Sequence, residues 1–126
     1  VHALLARSQQ EQFSTIIEGV HVRPSIVKDC ALPSDTIVVP LLIAAEREKT
    51  LKAFFRGRAI SAPRRGRKHY LDNLDAIWDL QSLLLSEAEI HGVPIVINEA
   101  EGGNMMTRMY SLISSVVLKE SSDPSD

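Results

Sequence analysis

Two features of the sequence are able to do chemistry: a run of cations and an isolated carboxylate. Arg56, Arg58, Arg64, Arg65, Arg67 and Lys68 place six of the fourteen Lys and Arg residues in one short segment, with no acidic residue among them. Like charges crowded together raise the energy of a compact surface unless an anion sits between them. Arginine is the residue for that task, because its planar fork of donors matches phosphate oxygens. The segment therefore reads as a mobile loop, Ala59 to Lys68, that closes on phosphates. Pro63 and Gly66 interrupt it and keep it exposed. The alternative is a solvated charge run on a surface loop. The carboxylate is Glu18, which follows Ile16-Ile17 and precedes Gly19. Burying a lone carboxylate is expensive, so Glu18 is expected at the carboxyl end of a strand, paired or facing a site. Otherwise it lies on the exposed side of an edge strand.

The elements that would position these groups alternate. Residues 1–12 read as the end of a helix. The apolar, β-branched stretch Phe13 to Val22, bounded by Pro24, predicts a strand. A connection with a short helix near Ser25 to Cys30 follows. Thr36 to Ala45 is a near-continuous apolar run, the pattern of a parallel strand buried on both faces, with Pro40 near its end or at a bulge. Glu46 to Arg58 reads as a helix, with acidic residues in its first turn and basic ones in its last. Lys52 and Arg56, four apart, share a face of it. Leu71 to His91 is expected to be the longest helix, stopped by Gly92. Val93 to Asn98 reads as a short strand. The last helix carries Met105, Met109, Leu112, Ile113, Val116 and Val117 on one face. Alternating strands and helices predict a layered α/β fold, a parallel sheet with flanking helices. One domain over 1–119 and a disordered tail over 120–126 complete the expectation.

Composition narrows the function classes. A chain of 126 residues with 44% hydrophobic content suits one globular domain. The formal net charge of -2 gives the whole chain no pull toward nucleic acid. The longest apolar run, Ile37 to Ala45, is too short to span a bilayer, and no secretory signal is visible. A single cysteine, Cys30, forms no internal disulfide and suits a reducing, cytoplasmic setting. His2, His21, His69 and His91 have no zinc-like spacing with Cys30. Neither a Gly-x-x-x-x-Gly-Lys-Ser/Thr phosphate loop nor a Gly-x-Gly-x-x-Gly fingerprint occurs.

The string Ile16-Ile17-Glu18-Gly19-Val20-His21-Val22-Arg23-Pro24 resembles a segment of the 2-phosphoglycerate kinases, a P-loop kinase family. Further matches follow in order. Ile37 to Ile43 looks like the family's next buried strand. Phe55-Arg56-Gly57-Arg58-Ala59 resembles its Phe-x-x-Arg-Ala. Ile77-Trp78-Asp79-Leu80-Gln81 is similar to the end of one of its helices, and Gly92 to Asn98 looks like its last strand. Phe54 and Trp78 stand where the family usually has Arg, which removes two phosphate contacts.

The resemblance, over roughly residues 1–118, implies the carboxyl-terminal half of a P-loop kinase-like fold, without the phosphate-loop half. It implies a parent protein that moves the γ-phosphoryl group of ATP, with Mg²⁺, to a small phosphorylated acceptor. Phosphoryl transfer depends on positioning and charge neutralisation. Glu18 and Arg58 are then the catalytic candidates, Glu18 holding Mg²⁺ through water or orienting the acceptor. His21, Arg56, Arg64, Arg65, Arg67 and Asn98 are the substrate-binding candidates. No residue is expected to ligate a metal directly, and this chain alone is expected to bind no ATP. Its sheet edge would be covered by the missing amino-terminal half or by a partner chain. The competing reading is a non-catalytic module whose basic loop docks on an acidic protein or nucleic acid. No aromatic residue interleaves the core of the arginine run, which disfavours stacking on single strands.

Overall fold

The computed structural model describes residues 1–28, 36–61, 67–99 and 104–122. Eight elements follow in order: α1 (His2–Gln10), α2 (Pro24–Lys28), β1 (Leu42–Ala45), α3 (Glu48–Ser61), α4 (Arg67–Asp72), α5 (Leu74–His91), β2 (Ile95–Asn98) and α6 (Met105–Ser122). The two strands pair in parallel, from Leu42 opposite Ile95 to Ala45 opposite Asn98. Helices α3, α4 and α5 form the crossover between them, as parallel pairing requires. The chain is thus α/β, a small parallel sheet with flanking helices.

Local chemistry accounts for the punctuation. Gly92 adopts φ 65° and ψ 31°, and its N–H donates to the Glu89 carbonyl at 3.3 Å. The Val93 N–H reaches back to the Ala88 carbonyl at 2.8 Å, completing a Schellman motif. Pro94 needs no ladder partner for a missing N–H, and its carbonyl accepts from the Leu42 N–H at 2.9 Å. Ala44, Ala45, Leu74, Leu84, Ala88, Val93 and Val96 are the buried apolar residues among those described, with α5 packed on β1 and α6 on β2. Met105, Met109, Leu112 and Val116, spaced for one helix face, are half-buried on α6, which packs on β2.

Five expectations change. Phe13 to Val22 is not a strand: Phe13–Glu18 makes no ladder, and Gly19–Val22 is a turn closed by Val22 N–H to the Gly19 carbonyl at 3.0 Å. Strand composition has no effect without a neighbouring edge, and Ile16 is left 95% exposed. The apolar run at 36–45 forms a strand only over Leu42–Ala45, and Ile43, 44% exposed, shows that one face is open. Leu71 to His91 is interrupted at Asn73, whose φ of -114° and ψ of 22° leave the helical region; its carbonyl accepts from Ile77 N–H to start α5. On α6 the expected apolar face divides, and Ile113 and Val117 lie on the exposed side. Finally, α3 runs on to Ser61 and α4 begins at Arg67, so both ends of the expected loop are helical, and 62–66 lie outside the described residues.

Candidate functional site

In a parallel α/β layer, ligands gather at the carboxyl ends of the strands. Here those ends are Ala45 and Asn98, opposite each other in register. Asn98 is half-buried there. Gln81, half-buried on α5, holds the other end. Its side-chain carbonyl accepts from the Ala45 N–H at 2.8 Å, and its amide donates to the Ala45 carbonyl at 3.1 Å. Beyond β2, Glu99 pairs with Arg108 of α6 at 3.6 Å. An open cleft of about 390 Å³ lies between β2 and α6, with Asn104, Thr107, Arg108 and Ser111 as its polar wall.

From Ala45 the chain passes through Glu46 and Arg47 into α3, then through 62–66 into α4. The two helices pack together. Phe55 and Tyr70 stack across them with ring centroids 5.0 Å apart and planes 11° from parallel. Such a stack is worth about 0.5–1.5 kcal/mol beyond the area it buries. It ties α3 to α4, and the basic segment lies between its two rings in sequence. Lys49, Lys52 and Arg56 occupy one exposed face of α3, at three- and four-residue spacing, and none forms an ion pair with another described residue. Arg58 is in the last turn of α3, Arg67 opens α4, and Arg64 and Arg65 lie outside the described residues. The cations expected on a loop are therefore carried in part by two helix ends.

Glu18 and His21 are exposed and flank the Gly19 turn. Gly19 has φ 143°, a conformation open to glycine and strained for other residues. Two residues after His21, Arg23 anchors this turn to α5. Its Nε donates to Glu87 Oε2 at 3.2 Å, a second guanidinium nitrogen pairs with Oε1, and Ser25 Oγ donates to Oε2 at 3.1 Å. Arg23's hydrogen bond holds the Glu87 carboxyl below its ordinary range, against the opposing effect of burial and with help from Ser25. The Glu87 carboxylate in turn raises Arg23 above its ordinary value. This fork–carboxylate pair was not singled out from sequence, since a Glu inside an amphipathic helix carries no mark of its burial. Glu18 does not sit at a strand end as expected. Among the described residues, no side-chain hydrogen bond or ion pair joins Glu18, His21, Asn98 and Arg56. The structure thus gives three separate parts: the Gly19 turn, the strand ends and the basic hairpin.

No His, Cys, Asp or Glu group among the described residues could hold a metal ion. No described helix is long and apolar enough to cross a membrane.

No protein-family model matches the chain, and no solved structure does. Curated relatives do. The chain is 26% identical over 117 residues to a 2-phosphoglycerate kinase of Pyrococcus furiosus, covering 93% of this chain and 37% of that protein. It is 33% identical over 98 residues to the 2-phosphoglycerate kinase of Thermococcus kodakarensis, covering 78% and 32%. The 2-phosphoglycerate kinase of Methanopyrus kandleri is 27% identical over 119 residues, 94% of this chain and 36% of its own. The chain spans about a third of the length of the relatives it matches. The chain is related in sequence to the 2-phosphoglycerate kinases over most of its length, as the motifs implied.

Proposed function

From this kinship we propose that the chain supplies the acceptor-binding and lid elements of an ATP-dependent small-molecule kinase. The observation that carries the reading is the similarity to 2-phosphoglycerate kinases across 93% of the chain. The basic hairpin gives it physical sense. A pair of helices tied together by Phe55 and Tyr70, rooted three residues past a strand's carboxyl end, can bring Arg56, Arg58 and Arg67 over an anion as one body. Arginine there offsets the charge spread over a transferring phosphoryl group. Asn98 lies at the carboxyl end of β2, and Glu18 and His21 flank a turn anchored through Arg23.

ATP and Mg²⁺ belong to the proposed reaction of the parent protein, in which Glu18 would hold Mg²⁺ through water or orient the acceptor. The sequence has no Gly-rich loop ending in Gly-Lys-Ser/Thr, and the described residues offer no metal cluster. The acceptor side and the lid are what this chain contributes.

A graft tests the reading. The matching segment of the Thermococcus kodakarensis enzyme is replaced by this chain, and ATP-dependent phosphorylation of 2-phosphoglycerate and other small phosphorylated acids is measured. Transfer to at least one acceptor is expected. Arg58→Ala in the graft should lower kcat more than it raises the acceptor's KM, because a lid arginine acts mainly in the transition state. A folded graft that binds ATP and phosphorylates none of the acids overturns the proposal. If instead the chain by itself retains nucleic acid or acidic protein with strong salt dependence, the docking reading takes its place.

A further inference from the structure

The geometry points to Gln81 as the residue that aims the basic hairpin: it fixes the carboxyl end of β1, from which α3 departs. This inference rests on the reading of the hairpin as an anion-closing element. Leu42 turns its N–H toward β2, where it meets the Pro94 carbonyl. Backbone groups alternate along a strand, so Ala45 turns its N–H and carbonyl to the opposite edge. Those two groups, like those of Ile43, face the edge of β1 that β2 does not cover. A primary amide has one acceptor and a donor held in one plane, and the Gln81 side chain fills both positions at 2.8 and 3.1 Å. Only Glu46 and Arg47 separate Ala45 from the start of α3, whose first turn is closed by Thr50 and Leu51 N–H groups on the Arg47 carbonyl. Two bonds at Ala45 therefore leave α3 a two-residue pivot and no more. Gln81 is a positioning residue: it touches backbone, not an anion, and acts through the direction it gives Lys49, Lys52 and Arg56.

The test uses the 126-residue chain and NMR in solution, with inorganic pyrophosphate as probe. Amide exchange at Ala45 reports the bonds, and residual dipolar couplings report the orientation of α3 against β1 and β2. In Q81A the Ala45 amide should exchange about tenfold faster, the equivalent of roughly one net hydrogen bond. The α3 couplings should shift while those within β1 and β2 hold, and pyrophosphate should bind about three- to tenfold more weakly through lost preorganisation. Q81E guards against a variant that merely unfolds. Its ionised carboxylate accepts from the Ala45 N–H and meets the Ala45 carbonyl with no donor. Protonated, it regains one donor and one acceptor. Lowering the pH from about 7 to about 4 should therefore restore Ala45 protection and the α3 orientation in Q81E, with wild type through the same range as control. Unchanged α3 couplings in Q81A, or no recovery of Q81E on acidification, overturn the inference. If wild type does not bind pyrophosphate, the anion-closing reading fails. The couplings still decide whether Gln81 sets the direction of α3.

Discussion

At the scale of single residues, the Arg23–Glu87 pair is the contact with the clearest consequence in solution. Glu87 is buried, and its carboxyl is held below the ordinary range by the Arg23 guanidinium and the Ser25 hydroxyl. A carboxyl whose folded pKa is depressed contributes stability that is complete above its unfolded value, about 4.3. That contribution falls as the pH drops through this value and is lost as it passes the lower folded one. The melting temperature should therefore decline on acidification below neutral. In E87Q the starting temperature should be lower and the acid-side slope shallower, because the amide keeps the shape and lacks the titration. Thermal unfolding followed by circular dichroism from pH 7 to pH 3 checks this. A slope identical to wild type would mean that Glu87 is not the group being protonated. Loss of Arg23 also bears on Glu18 and His21, since that side chain, with Ser25, ties the turn they flank to α5.

At the scale of elements, two joints set where the chain turns. The first is Gly92, which ends α5 in the left-handed region with open space where a Cβ would stand. Only the backbone conformation is at issue, so G92A should destabilise the fold by about 1–2 kcal/mol, read as a shift in the urea midpoint. A neutral outcome would show that the joint can re-form in another conformation. The second is the Phe55–Tyr70 stack between α3 and α4. A double-mutant cycle with F55L and Y70L should return a coupling of about 0.5–1.5 kcal/mol. Amide exchange in α4 should rise in either single variant before exchange in α5 does. Zero coupling would leave the two rings as neighbours without a clamping role, and the hairpin would no longer move as one body.

At the scale of the molecule, the core is small among the described residues. Its largest fully buried side chain is Val96, while Ile16, Ile90, Met106, Tyr110 and Leu118 remain exposed. Each described strand has one edge that the other does not cover, and Gln81 covers β1's at Ala45 alone. A chain that spans about a third of its relatives' length, with a two-stranded sheet among the described residues, is expected to show no micromolar affinity for ATP, with or without Mg²⁺, in calorimetric titration. Its thermal transition should be broad and low. A tight ATP heat together with a sharp, high transition would mean that these residues build a nucleotide site of their own. Restored nucleotide affinity in the graft, with the rest of the relative present, is the complementary outcome.

The sequence by itself determined that most of α1, α3, α5 and α6 is helical and that α5 stops at Gly92. It also determined the parallel pairing class, the kinship with 2-phosphoglycerate kinases and the position of the cations along the chain. These follow from local chemistry: apolar spacing in α5 and α6, the glycine at position 92, the proline ahead of β2, and ordered motifs that survive in one dimension. Only the tertiary structure decided the rest. Phe13 to Val22 has the composition of a strand, and composition does not supply the neighbour whose backbone would complete its ladder. The helix expected over Leu71 to His91 breaks at Asn73, because α4 turns back to stack Tyr70 on Phe55 of α3. Gln81 was legible as a motif residue, and its task was not, since nothing in a linear pattern says that a helix side chain will reach the backbone of Ala45. Glu87 was invisible for the same reason: burial, and the arginine that compensates it, are properties of a contact between residues 64 positions apart.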